Sequence, residues 1–466
     1  MMLPRTLLLL SSALALAACA SGPDYIAQPV SASGAAPFES ANTAALTSAE
    51  PVGQWWRLYD DPVLDSLVMD ALAANTDIRV AAARLAKAKA ILREERGARE
   101  PQIGVSGSAQ YRHLPESAAA GSGRNNLQID AGADVAYEVD LFGRIGRSVE
   151  AASGDVAASA ADADAVRVGI VAETARAYAD AASSAERIAV AQHIVDLLNR
   201  SLALTERRHE VGLADGLDTA RIAALRDQRL AEVPLLQAQR QAALLRLATL
   251  TGRAPRDLPP VAANRTASLK LASPIPVGDG ASLLARRPDV RAAERRLAAA
   301  TARVGVATAD LYPRITLGGA IGTSGSGLGN VFGASPLTWL VGPLINWTAN
   351  RSAARARVAG AQADTQAALA TFDGTVLQAL EETETALSDY QQSLLRREAL
   401  RAASQQAEKA ARITRAQQRE GDISSLELID AERTAADAAA ALAEADARIS
   451  TAQIQLFRAL GGGWES

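Results

Sequence analysis

The stretch Leu284–Gly319 repeats Leu72–Gly107 without a gap, so that every position of the first matches one of the second at a constant offset of 212. Leu72/Leu284, Asp77/Asp289, Arg79/Arg291, Arg84/Arg296, Leu85/Leu297, Pro101/Pro313, Ile103/Ile315 and Gly107/Gly319 are identical pairs. The match returns at an offset of 209, where Gly212 meets Gly421, Leu217 meets Leu426 and Gly252 meets Gly461. Two copies of one long unit must fold alike, so each copy checks the reading of the other. The chain divides into a leader (1–18), an extended segment (19–60), a first repeat (61–252), a linker (253–281), a second repeat (282–461) and a tail (462–466).

Each repeat alternates between two periodicities. In the first copy Asp61-Pro62 starts a helix that runs to about Asn75, and a second follows to about Arg99, stopped by Pro101. The period then becomes two. Strands are expected at about 102–113 and 127–140, with Leu127, Ile129, Ala131, Ala133, Val135, Tyr137 and Val139 on one face. Asp130, Asp134 and Glu138 fall on the other. From Gly143 to His209 there is no proline, and as a helix this stretch would extend roughly 100 Å. Val190, Ile194, Leu197, Ser201 and Leu204 space like a coiled-coil seam. A turn at Gly212 and Gly216 returns the chain as one helix to Thr251, and Gly252 caps it. The second copy repeats the order: a helix over Ala281–Ala309, strands at about 314–323 and 336–347 around a Gly/Ser turn (Gly322–Gly333), and a helical hairpin over 350–460 turning at Gly421-Asp422. Ser21–Pro51 reads as loosely structured, and Trp55 and Trp56 require burial.

Composition narrows the function classes. A net charge of −4 from mixed signs leaves no basic footprint for nucleic acid. One cysteine and three scattered histidines (His113, His193, His209) provide neither a disulfide framework nor a catalytic or metal cluster, so no enzyme and no cofactor is expected. Arg5, the apolar run Leu7–Ala18 and the small residues before Cys19 form a secretory signal too short to span a bilayer. Leu16-Ala17-Ala18-Cys19 resembles a bacterial lipobox, which makes Cys19 the candidate for diacylglycerol and N-acyl (palmitate-type) attachment, and Ala20 favours the outer membrane.

The expected fold is mainly α with some β: a long helical barrel capped by a transmembrane β-barrel. Four strands cannot close a barrel alone and lipid tolerates no open sheet edge, so several chains must pool them.

Several motifs together resemble a known family: the lipobox, the WW-R-L-Y-D-DP segment from Trp55, Asp140–Arg144 (DLFGR), Ala285–Glu294 (ARRPDVRAAE), Tyr312–Leu317 (YPRITL), Leu428–Arg433 (LIDAER) and Leu460–Trp464 (LGGGW). The chain resembles the TolC-like outer membrane factors, in the lipoprotein branch of NodT- and OprM-like efflux proteins. The resemblance implies a homotrimer with a twelve-stranded barrel, a coiled α-barrel, and passive export of small molecules such as drugs. It implies docking of a periplasmic adaptor and an inner-membrane pump. It also implies a periplasmic gate, matched here by Leu426, Asp430 and Arg433, with Arg221 standing where Asp430 stands in the other copy. Positions i, i+4 and i+7 share a helix face, so Leu426 can plug an aperture while Asp430 pairs with Arg433 or Arg221. The turns carrying Gly212, Gly421 and Asp422 are candidates for adaptor docking, and Asp130, Asp134 and Glu138 for the barrel lumen. A duct for type I protein secretion or metal efflux stays open, as does a non-conducting periplasmic coiled-coil lipoprotein.

Overall fold

The computed structural model describes residues 21–29, 34–41, 43–113, 115, 125–326, 337–420, 423 and 425–462. Its elements are β1 (Leu46–Thr47), α1 (Pro62–Ala74), α2 (Thr76–Gly97), β2 (Gln102–His113), β3 (Asn125–Val139), α3 (Arg144–Glu210), α4 (Gly216–Leu230) and α5 (Glu232–Leu250). They continue with β4 (Ile275–Pro276), α6 (Gly280–Arg286), α7 (Pro288–Ala309), β5 (Arg314–Ser326), β6 (Leu337–Asn346), α8 (Ser352–Glu420) and α9 (Ser425–Ala459). Two compact units result. One comprises the chain up to Gln28, Arg84–Ala160 and Ala292–Asp373; the other comprises Pro29–Ala83, Ala161–Arg291 and Gly374–Ser466.

The first unit holds an antiparallel sheet in the order β2-β3-β5-β6. Ile103 pairs with Val135, Val135 with Gly319, and Gly319 with Val341, so one face carries most of the apolar residues, while Leu340 and Leu344 of β6 fall on the other. Ile103, Val105, Tyr111, Ile321, Trp339, Val341 and Ile345 on that face are exposed to solvent within the chain. The opposite face carries Ser106, Ser108, Asp130, Gly132, Asp134 and Gly322. Strand β5 continues through Gly322–Ser326, where composition alone reads a turn; pairing with Gln128–Gly132 keeps this Gly/Ser run extended.

The second unit buries Trp55 and Trp56 to 2% and 1% exposure, and the Trp55 ring stacks on Phe457 at 4.7 Å. The carboxylate of Asp61 caps α1, accepting from the Val63 and Leu64 amides at 2.9 and 3.1 Å, with Pro62 at the first position. The segment before it is less loose than composition implies, because β1 pairs in parallel with β4 from the linker.

Two joints show how the copies close. In the first copy Asn75 is buried, donates to the Leu250 carbonyl at 2.9 Å, and accepts from the Asp77 amide at 2.8 Å. Arg287 occupies the position of Asn75 in the second copy, and it donates at 3.0 Å to the carbonyl of Ala459, the counterpart of Leu250. It also binds Asp289 and Glu382, at 2.6 and 2.8 Å. Gly252 and Gly461 follow each returning helix at φ +66 and +80, a conformation that penalises a Cβ.

Three sequence expectations need correction. The returning helix of the first copy is two helices, broken at Ala231, because Pro234 lacks an N–H and its ring crowds the carbonyl one turn back. The helix over Ala281–Ala309 is likewise two, α6 and α7, since Pro288 pushes Arg287 into extended backbone. The coil seam of α3 runs through Ala191, Ile194, Leu198, Leu202 and Thr205, which are buried, rather than through Leu197, Ser201 and Leu204. This helix packs against more than one neighbour, so the buried stripe is broader than a single a/d seam.

Trp55→Ala should lower the unfolding free energy of the purified protein by about 3–5 kcal/mol, measured as a shift of the guanidinium midpoint at unchanged slope.

Candidate functional site

The site begins where α9 starts. Leu426, Asp430 and Arg433 all lie on one exposed face of this helix, and Leu426 is 54% exposed. The expected pairing within the chain is absent: among the described residues no ion pair joins Asp430 to Arg433 or to Arg221. Arg433 leans instead toward Asp437, with its Nε 3.9 Å from the carboxylate, one turn further along α9. Asp437 also takes Arg229 of α4 as a direct partner. Asp430 itself is exposed.

Residues that the sequence reading passed over hold this end together. Glu432 is 4% exposed and receives both arms of Arg415 from α8, at 2.5 and 2.9 Å. Ser201 of α3 donates to the same carboxylate at 3.5 Å. Arg208 of α3 donates to the backbone carbonyl of the buried Gln418 in α8 at 2.5 Å. The hydrogen bonds to Glu432 raise the Arg415 guanidinium above its ordinary pKa despite burial, so the arginine stays charged. Apolar contacts among Ile194, Leu198, Leu225 and Ala436 continue along α3, α4 and α9. A groove of about 610 Å³ between α3 and α8 has Ala435, Ala436 and Ala439 in its lining and the Arg415–Glu432 pair beside them. No spacing rule brings Arg415 and Glu432 together, since they sit on different helices; only the hairpin does.

The turn of the first copy is described in full. Gly212 stands at φ +77 with open space where a Cβ would project. The Leu213 amide donates to Arg208 O at 2.7 Å and the Gly212 amide to His209 O at 2.9 Å, a Schellman motif. Gly212 therefore serves the backbone. Gly421 and Asp422, the equivalent turn of the second copy, lie outside the described residues, as does Cys19. The chain just after Cys19 is pinned: the Ser21 amide donates to Phe142 O at 3.1 Å, and Arg147 reaches Ser21 O and Asp24 at 3.2 and 2.5 Å.

On the sheet, Asp130 accepts from Ser108 and Gln128 at 3.1 and 3.0 Å. A Cβ at Gly104 would lie 2.6 Å from the Asp134 carboxylate, so glycine makes room for that acid. Glu138 differs from both. It is held by Arg144 through two hydrogen bonds of 2.8 Å, so its charge is paired within the chain. Among the described residues no three His, Cys, Asp or Glu side chains converge as a metal site, and no helix is long and apolar enough to cross a membrane.

A family model described as "Outer membrane efflux protein" matches residues 67–253 and again 281–462, once per repeat. The outer membrane protein OprJ of Pseudomonas aeruginosa is 31% identical over 97% of this chain and 95% of its own length. The pyoverdine export outer membrane protein OpmQ of Pseudomonas putida is 31% identical over 100% and 99%. The solved structure of the outer-membrane channel OprN superposes with a TM-score of 0.89 at 36% identity, covering 96% of this chain and 100% of OprN. The chain belongs to the outer membrane efflux protein family. It is an outer membrane channel component for efflux, and the family is of the channel type.

Glu432→Ala strands a charged Arg415 and should cost roughly 3 kcal/mol. Arg415→Met combined with Glu432→Leu should cost less than either single change, read by denaturation and by amide exchange along α9.

Proposed function

We propose that three copies of the chain form a passive export duct, with strands pooled in one transmembrane barrel and helices in a coiled barrel that opens at its periplasmic end. The observation that carries this is the four-stranded sheet. Its apolar face is exposed, and β2 and β6 each have one edge without a partner among the described residues. A hydrocarbon environment accepts such a face only if the edges are closed on further strands. Acylation of Cys19 would add a lipid anchor beside a segment already fixed through Ser21 and Asp24.

The duct would work with a periplasmic adaptor and an inner-membrane pump, docked at the turns carrying Gly212 and Gly421-Asp422. Leu426 would pack against its symmetry mates in the shut state. Asp430, which has no ion-pair partner among the described residues of its own chain, would meet Arg221 or Arg433 of a neighbouring copy. The cargo class is small molecules, drugs among them.

Single-channel conductance in a planar bilayer tests this reading. A small wild-type current should rise several-fold in Asp430→Ala with Arg433→Ala. Equal currents would place the gate elsewhere, and no current from folded, inserted protein would favour a non-conducting structural lipoprotein. Asp130→Asn with Asp134→Asn should reduce cation preference in reversal-potential measurements.

A further inference from the structure

The duplication specifies how one copy of the sheet meets the next. Strand β5 begins at Arg314, the position equivalent to Gln102 where β2 begins, so β5 is the image of β2 at the repeat offset. Within the first hairpin Ile103 pairs with Val135; within the second, Ile315 pairs with Ile345. Since Ile315 is the image of Ile103, Ile345 is the image of Val135, and β6 is in the same way the image of β3. Within the sheet, the contact between the repeats is β3 against β5, where Ala131 pairs with Thr323 and Val135 with Gly319. Carried through these two correspondences, the pairs become Val341 with Tyr111 and Ile345 with Gly107. They join β6 of one copy to β2 of another.

We infer that β6 closes on β2 of a second copy in this register, with Val341 opposite Tyr111, Ile345 opposite Gly107 and Leu344 opposite Ser108. The inference rests on the trimeric reading above and gives it a seam. Three features of the sheet agree with it. Stepping straight across the strands from Ile103 leads through Val135, Gly319 and Val341 and arrives at Tyr111 of the next copy. All five positions lie on the apolar face, so no side chain changes sides at the seam, as one residue of slip would force. The step also advances eight residues along the strand, and its first half, Ile103 to Gly319, advances four, because Gly319 is the image of Gly107. A closed barrel requires such a constant stagger. The single-sided pairing of β6 agrees as well. Its image β3, paired on both sides, ends at Val139, which corresponds to Ala349, whereas β6 ends at Asn346. Pro343 donates no hydrogen bond, so one ladder bond is missing from β6 in any register.

Paired cysteines in the full-length protein in membranes test the register. Residues directly opposite have Cα atoms about 4.5–5.5 Å apart, inside the disulfide range, whereas four residues of slip separates them by about 13 Å. Val341→Cys with Tyr111→Cys, and Ile345→Cys with Gly107→Cys, should form inter-chain disulfides on mild oxidation. The swapped combinations, Val341→Cys with Gly107→Cys and Ile345→Cys with Tyr111→Cys, should link at least about tenfold less. The four single variants give the background, including any link through Cys19. Preferential linking of a swapped combination overturns the register. Absence of links in all four combinations, in protein that sediments as a trimer, overturns the β6–β2 seam while leaving the trimer intact. Protein that sediments as a monomer overturns the trimeric reading itself.

Discussion

A single kind of joint, made twice, underlies the helical part of this molecule. Where one helix of a repeat begins, a buried polar side chain reaches across to the carbonyl that ends the returning helix of the same repeat. Asn75 does this with Leu250, and Arg287 with Ala459. A helix end buried without such a partner would leave acceptors unsatisfied, at a cost of about 1–3 kcal/mol each. The joints thereby fix where each long hairpin returns, and the glycines after them turn the chain away at angles that other residues resist. The larger arginine in the second copy also gathers Asp289 and Glu382, so the second joint ties in α8 as the first does not.

The duplication made most of this legible before any coordinates. Offsets of 212 and 209 aligned the strands, the long helices and the capping glycines, and the alternation around Val135 placed the two faces of the sheet correctly. What escaped was decided by single residues against the pattern. Pro234 and Pro288 each split a helix whose apolar spacing continues through the break. Glycine and serine at Gly322–Ser326 read as a turn because their own preferences are weak; a fully paired neighbour on one side keeps them extended. In the candidate site the family resemblance picked out Leu426, Asp430 and Arg433, and helical spacing put them on one face. The Arg415–Glu432 pair did not, because it is created by a turn that brings distant positions side by side. The same holds for Glu138, whose partner Arg144 lies across the turn between strand and helix.

The two repeats are unequal near the ends of their helical hairpins. At the positions equivalent to Arg415 and Glu432 the first copy has Glu206 and Ala223, so the buried pair exists in one hairpin only. Arg229 of the first copy instead reaches across to Asp437 of the second. One returning helix is thus bound to the long helix of its own repeat by a buried ion pair, and the other to the returning helix of the second repeat. A force applied to the tip meets two different resistances within one chain.

The polar face of the sheet carries few long side chains over much of its width. Gly104, Gly132, Gly318, Gly322 and Gly342 lie on it, with Ala136, Ala320 and several serines between them. Leu340 and Leu344 of β6 are the large apolar exceptions; lining the proposed duct, the glycine-rich part would present peptide groups rather than side-chain arms and offer a solute few footholds. Adsorption there would be brief, and chemically unlike solutes would meet nearly the same friction. Discrimination between cargoes would then fall to whatever loads the duct, while the exit contributes mainly its bore and the charges of Asp130 and Asp134.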